Sequence, residues 1–322
     1  MIIVSEQDAR ALVSIDSAIA AVEQSFAAMA RGQARNYPVV REAVGCEDAV
    51  FGVKTGCDTS APLLGLKAGG YWPHNLANGL GNHQSSTLLF DAQTGRASAL
   101  VSANYLTGVR TGAASAIATK YLSRPGSSVL GMIGAGVQSQ HQLRATLAVR
   151  PLKTVYAWNP SQEKLAALGR LVEALGLDFV AADREAVASH ADILITVTPS
   201  KQALVDKAWV RPGTHISAMG ADTKGKQELD PALVAASAIF VDEAAQAVSI
   251  GECQHAFGAG LITQETFRGS IGQVIAGLCE GRRNDREITL FDGTGVALQD
   301  LVVAELAVRL ALARGGCTMV DY

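Results

Sequence analysis

The chain has 322 residues, 48% apolar and 18% charged, with a net charge of −3. This composition excludes a disordered chain and argues against nucleic acid as a partner, and the length allows two domains. The five cysteines are scattered and form no C-x-x-C, which argues against a disulfide framework or a zinc site, so no metal is expected. The N-terminal "MIIVSEQDAR" lacks the basic-then-apolar pattern of a signal peptide. No apolar run approaches the roughly 20 residues of a membrane span. A cytoplasmic protein without a membrane partner is expected.

"IIVSEQDARALV" reads as a short strand and then a helix, with Ser5 and Asp8 as a capping pair. "SIDSAIAAVEQSFAAMARG" is an amphipathic helix: Ile15, Ile19, Val22 and Phe26 recur at helical spacing, and Gly32 is its C-cap. From Tyr37 to Leu100 the pattern changes to successive strands, "YPVVREAV", "AVFGVKTGCD", "LLGLKAGGYW", "SSTLLFDAQTG" and "RASALVSANYL", which predict an antiparallel sheet. "LTGVRTGAASAIATKYL" returns to helix. After "SRPG", strands such as "SVLGMIGAG", "TVYAWN", "ADILITVTP" and "AIFVDE" alternate with helices. That alternation predicts an α/β fold with a doubly wound parallel sheet. The last helix, "LQDLVVAELAVRLALARGG", is free to return to the first domain.

"SSVLGMIGAGVQSQHQLRA" places Gly134-Ala135-Gly136-Val137-Gln138-Ser139 after an apolar strand and before a helix. Gly134 suits the tight turn, and Gly136 lets a pyrophosphate approach the helix N-terminus. The strand–turn–helix context makes this a dinucleotide fingerprint, with Ser139 in the third glycine position. The next strand ends "VYAWNPSQEK", with neither the acid that holds a ribose 2′-hydroxyl nor an arginine for a 2′-phosphate. The missing arginine favours NAD and leaves NADPH open. Asn159 is either a ribose ligand or an ordinary turn residue.

Candidate substrate groups lie outside this motif. Arg41 in "VVREAV", Lys67 in "LGLKAGG" and Arg110 in "TGVRTGAAS" are cations within apolar or small-residue segments. Asp222 in "ISAMGADTKGKQELDP" follows a strand of the parallel sheet, where such folds bind ligands. Singly, each could be a snorkelling or strand-end charge. Together they suit an acid substrate: arginine grips a carboxylate bidentately, lysine supplies a point charge, and Asp222 can face an amine or imine.

The stretches "LGLKAGG", "TGVRTGAASAIATKYL", "IGAGVQSQ", "GADTKGKQEL" and "FDGTGVALQD" occur in the order found in the ornithine cyclodeaminase and mu-crystallin family, which this chain resembles over nearly its whole length. The resemblance implies a substrate and dimerisation domain of α+β type over residues 1–118 with 302–322. It also implies a Rossmann domain over 119–301, and a homodimer. It assigns Arg41, Lys67 and Arg110 to the substrate carboxylate, Asp222 to the reacting nitrogen, and the loop Gly293 to Gly295 to the neighbourhood of the nicotinamide. Cyclodeaminases of the family carry a glutamate in the strand before the lysine strand; spacing from Lys67 puts Lys54 there, which argues against ornithine cyclisation. "YPVVREAVG", "GLKAGGYWPHN" and "TKGKQELDPALV" further resemble the family's iminosuccinate reductases, which form aspartate with NADH.

If Lys54 points into the site, four cations suit two carboxylates; otherwise it is a solvated strand lysine. His74, Asn82, His83 and Gln84, in the loop beyond Lys67, are candidates for the second carboxylate. The catalytic candidates are Asp222 and Lys67. The expected cofactor contacts are Gly134, Ala135, Gly136, Val137, Gln138, Asn159, Thr198, Met219, Gly220 and Thr294. Other readings are a cyclic ketimine reductase, an alanine dehydrogenase, or a non-catalytic ligand-binding protein of the mu-crystallin kind. His141, His190 and His215 show no metal-ligand spacing.

Overall fold

A computed structural model describes residues 1–315 and 317–321. The first part of the chain forms β1 (Ile2–Val4), α1 (Glu6–Leu12), α2 (Ile15–Ala30), β2 (Ala34–Asn36), β3 (Val40–Ala43), β4 (Val50–Asp58), β5 (Leu63–Tyr71), β6 (His83–Phe90), β7 (Ala97–Ser102) and α3 (Asn104–Leu122). Then follow β8 (Val129–Ile133), α4 (Val137–Val149), β9 (Thr154–Trp158), α5 (Gln162–Ala174), β10 (Asp178–Ala181), α6 (Arg184–His190), β11 (Ile193–Thr196), β12 (Lys201–Val205), β13 (His215–Ala218) and β14 (Gln227–Leu229). The remainder comprises α7 (Pro231–Ala235), β15 (Ala238–Val241), α8 (Ala244–Ser249), α9 (Gln254–Gly258), β16 (Gly269–Ser270), α10 (Ile271–Ile275), β17 (Thr289–Asp292), α11 (Ala297–Arg314) and β18 (Thr318–Met319).

The chain divides into two compact units, Met1–Arg110 with Val296–Tyr322, and Thr111–Gly295. The boundaries expected after residues 118 and 301 lie inside α3 and α11. The start of α11 belongs to the first unit because it packs there: Ala297 and Leu301 press on Gly56 and Gly65.

The first unit is a mixed sheet ordered β18-β1-β7-β6-β5-β4-β2, with β3 also paired to β4. Its strands from β2 to β7 pair antiparallel, as the alternating pattern predicts. In β5, Leu63, Gly65 and Lys67 are buried while Leu64, Leu66 and Ala68 are half-exposed. That period of two turns one face toward α11. Gly65 is required there, because a Cβ would lie 2.9 Å from Leu301 Cδ2 and 2.7 Å from Leu88 O. Ser5 and Ser14 cap α1 and α2 by accepting from Asp8 N and Ser17 N, each worth about 1 kcal/mol. Glu6 then fixes the start of α3, accepting from Tyr105 N at 2.9 Å and Ser102 Oγ at 2.9 Å.

The second unit is an eight-stranded parallel sheet ordered β10-β9-β8-β11-β13-β17-β15-β16. The order reverses at β8, which is the topological switch point. Ile133, Leu194, Ile216, Ile239 and Leu290 are buried in its core. β17 was not among the expected strands; its four residues fill the position between β13 and β15. At the end of α3, Arg150 donates to Thr119 O and Lys120 O, and Arg282 to Leu122 O, placing cations at the carbonyl end of the helix. Among the described residues no single helix is long and apolar enough to cross a membrane.

Candidate active site

The fingerprint leaves β8 at the switch point. Gly134 adopts φ +113°, and a Cβ there would lie 2.7 Å from Val197 O, so the turn needs glycine. Gly136 is different. It is the N-cap of α4, and no heavy atom lies within 4 Å of a Cβ built on it. The protein's own packing does not demand glycine at this position; a pyrophosphate approaching the helix N-terminus does. Val137 is exposed on the first turn, and Gln138 Oε1 is buried without a hydrogen-bond partner among the described residues. Ser139, in the third glycine position, turns its hydroxyl back to Gly136 O at 2.6 Å. These residues fit a bound dinucleotide.

Asn159 has a structural task. Its Oδ1 accepts from Ala135 N at 3.0 Å and its Nδ2 donates to Ser161 O at 3.1 Å. Both polar atoms thus hold the fingerprint loop and the following turn.

Neighbouring strand ends are tied together by buried carboxylates. Glu228 accepts from Thr196 Oγ1 at 2.8 Å, Thr198 N at 2.6 Å and Gly220 N at 2.9 Å. One side chain therefore clamps the loops after β11 and β13. Burial pushes its carboxyl up, against the pull of those donors. Glu252 supports it from below, accepting from the backbone of Glu228 and Leu229, and is raised well above the ordinary range by burial and the charge of Glu228. Met219 is buried beside these loops, and Gly293 N donates to Ala218 O at 3.0 Å. Thr294 donates to Asp242 Oδ1 at 2.8 Å, so its hydroxyl anchors the Gly293 to Gly295 loop. Asp222 stands half-exposed past Gly220. Lys226 donates to its Oδ1 at 2.6 Å and to Gly220 O at 3.2 Å.

In the first unit, register brings cations together. Lys54 on β4 is the direct cross-strand partner of Lys67 on β5, so both point to the α11 face. Arg41 on β3 is the partner of Gly52, one row along on the same face, and is exposed. Lys67 is 7% exposed; its ammonium donates to Thr107 Oγ1 at 2.7 Å and Asp300 Oδ1 at 3.2 Å. Arg110 Nε donates to the same oxygen at 2.9 Å, and its Nη1 to Gln299 Oε1 at 3.0 Å. Burial, with the charges of Arg110 and Lys54, lowers the lysine to about 8 although Asp300 opposes this. Burial would raise Asp300, but Arg110, Lys67 and Lys54 prevail and hold it at about 2.

The loop candidates divide. His83 lies opposite Tyr71, on the Lys67 face but two rows away. Gln84 alternates to the other face, and its amide bonds Gly81 O and Asn104, so the structure does not place it with the cations. Asn82 braces the hairpin through Tyr71 Oη, Pro73 O and Leu76 N. His215 is buried between Thr289 and Ser217, and burial and then Arg282 push its pKa down to about 3, which marks a neutral core histidine. Sequence reasoning missed Asp300, Glu228 and Asp242. The one available signal was their position inside the quoted motifs or at a strand end.

The chain belongs to the ornithine cyclodeaminase/mu-crystallin family, whose profile matches residues 1–313. It is 52% identical over 315 residues, 98% of each chain, to the iminosuccinate reductase of Paracoccus denitrificans. The crystal structure of that reductase in complex with NAD+ superposes with a TM-score of 0.96 at 51% identity, covering 100% of this chain and 99% of the other. An archaeal alanine dehydrogenase dimer with bound NAD gives a TM-score of 0.95 at 36% identity, over 100% and 99% of the two chains.

Proposed function

We propose that the chain is an NADH-dependent imine reductase that converts iminosuccinate to L-aspartate. The observation that carries the dicarboxylate assignment is the pairing of Lys54 with Lys67 on the sheet face that also presents Arg41, next to Arg110. A single carboxylate does not need so many cations. The similarity to the Paracoccus denitrificans iminosuccinate reductase supports the reading. A cyclic ketimine reductase or alanine dehydrogenase, acting on a monocarboxylate, would leave Lys54 without a partner in the substrate.

In this reading Lys67 and Arg110 hold the carboxylate beside the imine, and Lys54 with Arg41 holds the distal one. His83 is at most peripheral. Asp222 is assigned to the protonated imine nitrogen, whose charge it would stabilise, keeping the carbon electrophilic. Bound NADH supplies the hydride. The C=N electron pair goes to nitrogen, which keeps its proton as the amine. The fingerprint from Gly134 to Gln138, with the strand ends at Thr198, Met219, Gly220 and Thr294, holds the cofactor.

The working unit is proposed to be a homodimer. On the sheet face opposite Lys67, Leu64, Leu66, Leu88, Phe90 and Leu100 remain half-buried and Phe51 is exposed. A broad apolar face of this kind suits a second copy of the chain.

The test is NADH oxidation with oxaloacetate plus ammonia, compared with pyruvate plus ammonia and a cyclic imine, and repeated with NADPH. Preference for oxaloacetate with aspartate as product supports the proposal. Preference for either monocarboxylate substrate overturns the dicarboxylate assignment and returns Lys54 to a surface role.

A further inference from the structure

Two buried cations converge on one oxygen atom. Lys67 Nζ and Arg110 Nε both bond Asp300 Oδ1, while Asp300 Oδ2 is buried with no hydrogen-bond partner among the described residues. Asp300 is 2% exposed and lies in the first turn of α11, whereas its partners come from β5 and α3. The carboxylate has no bidentate geometry with either cation. It acts instead as a shared hinge that sets the spacing between an ammonium and a guanidinium.

We infer that Asp300 is a positioning residue for substrate binding: it holds Lys67 and Arg110 together and keeps Lys67 in its charged form. This rests on the reading that Lys67 and Arg110 bind a substrate carboxylate. The electrostatics have a definite sign. The charged groups around the Lys67 ammonium are Lys54 from β4, Arg110 from α3 and Asp300 from α11, with Arg41 on β3 one row away. Every one is a cation except Asp300. Removing its charge leaves a buried lysine beside Lys54 and Arg110 without that anion, so the lysine gives up its proton at lower pH. A neutral lysine binds no carboxylate by charge. Arg110 would also lose its Nε partner and keep the bond from Nη1 to Gln299 Oε1.

The decisive variant is Asp300→Asn, assayed with the full-length enzyme and with succinate as a competitive probe. Succinate carries the carboxylates without the reactive nitrogen. The inhibition constant for succinate is expected to rise about tenfold or more near neutral pH, and the pH above which binding is lost to fall by about one unit. NADH affinity, followed by fluorescence, is expected to stay unchanged. A variant that binds succinate with the wild-type pH profile overturns the inference, as does one that loses NADH and succinate together. If Asp300→Asn fails to fold, Asp300→Glu replaces it. It keeps the charge but moves the oxygen shared by Lys67 and Arg110, and is expected to weaken succinate with NADH affinity unchanged; wild-type succinate affinity counts against the inference. Wild-type enzyme that neither binds succinate nor reduces an imino acid would sink the functional reading itself, which separates the two failures.

Discussion

Lys54 and Lys67 occupy directly opposed positions on neighbouring antiparallel strands, with side chains on one face of the sheet. Cross-strand partners stand about 4.5–5.5 Å apart at Cβ, and like charges so placed destabilise a sheet. The buried carboxylate of Asp300, which accepts from Lys67 and is held ionised by both lysines, offsets part of that repulsion.

Lys54→Ala tests what this lysine contributes. Loss of a charge-assisted contact predicts a roughly 10- to 100-fold fall in kcat/KM for the oxaloacetate-derived imine. Activity with pyruvate and ammonia should change little, so the ratio of the two substrates is the quantity to measure. An unchanged substrate ratio would return Lys54 to the surface.

Asp222→Asn keeps the shape of the side chain and removes its charge. Turnover should fall by about 10²- to 10⁴-fold while NADH affinity holds. The check is a single-turnover hydride transfer measured beside a binding titration. A large loss of NADH binding with normal turnover at saturation would remove the catalytic role.

Asn159→Ala tests the brace under the fingerprint. Losing the bond to Ala135 N should weaken NADH binding by about fivefold, equivalent to roughly 1 kcal/mol, with kcat at saturating cofactor intact. Equal weakening of NADH and NADPH is expected if Asn159 serves the loop; a change confined to one cofactor would make it a ribose ligand.

Asp292 gives the parallel-sheet unit a pH-dependent stability. Burial, with the charge of Asp242, pushes its carboxyl from 3.8 to about 7, against the hydrogen bond it accepts from Cys253 N. Between those values the folded chain holds a proton that the unfolded chain has released, so stability falls as pH rises. The span corresponds to on the order of 4 kcal/mol. Asp292→Asn should flatten the decline when urea unfolding is compared across this range. Glu228 and Glu252 tilt stability the same way, so a slope remains. An unaltered slope would exclude Asp292 as its source.

The sequence made some of this visible and hid the rest for physical reasons. "LLGLKAGGY" was readable as a strand because one face is buried, which imposes a period of two, and Lys67 stood out as a charge on that face. The fingerprint was readable because its strand, turn and helix are contiguous. Asp300 was not readable: its partners lie 190 and 233 residues away, and an aspartate in the first turn of a helix is common. β17 escaped although β11 and β15 are equally short, because its last residues were read as part of the loop "FDGTGVALQD". The pairing of Lys54 with Lys67 needed the register, which spacing alone does not supply.

The segment from Gly220 to Glu228 holds itself in place. Lys226 reaches back four residues to Asp222 and six to Gly220 O, and Glu228 reaches back eight to Gly220 N. A single inserted or deleted residue within it would break several of these bonds at once. The segment is therefore best exchanged as a block. By contrast, the hairpin tip around Gly79, whose side chains are exposed, can change length without touching the cations. In a chimaera between relatives, crossover points belong outside 220–228, and the hairpin tip is the place to graft new sequence.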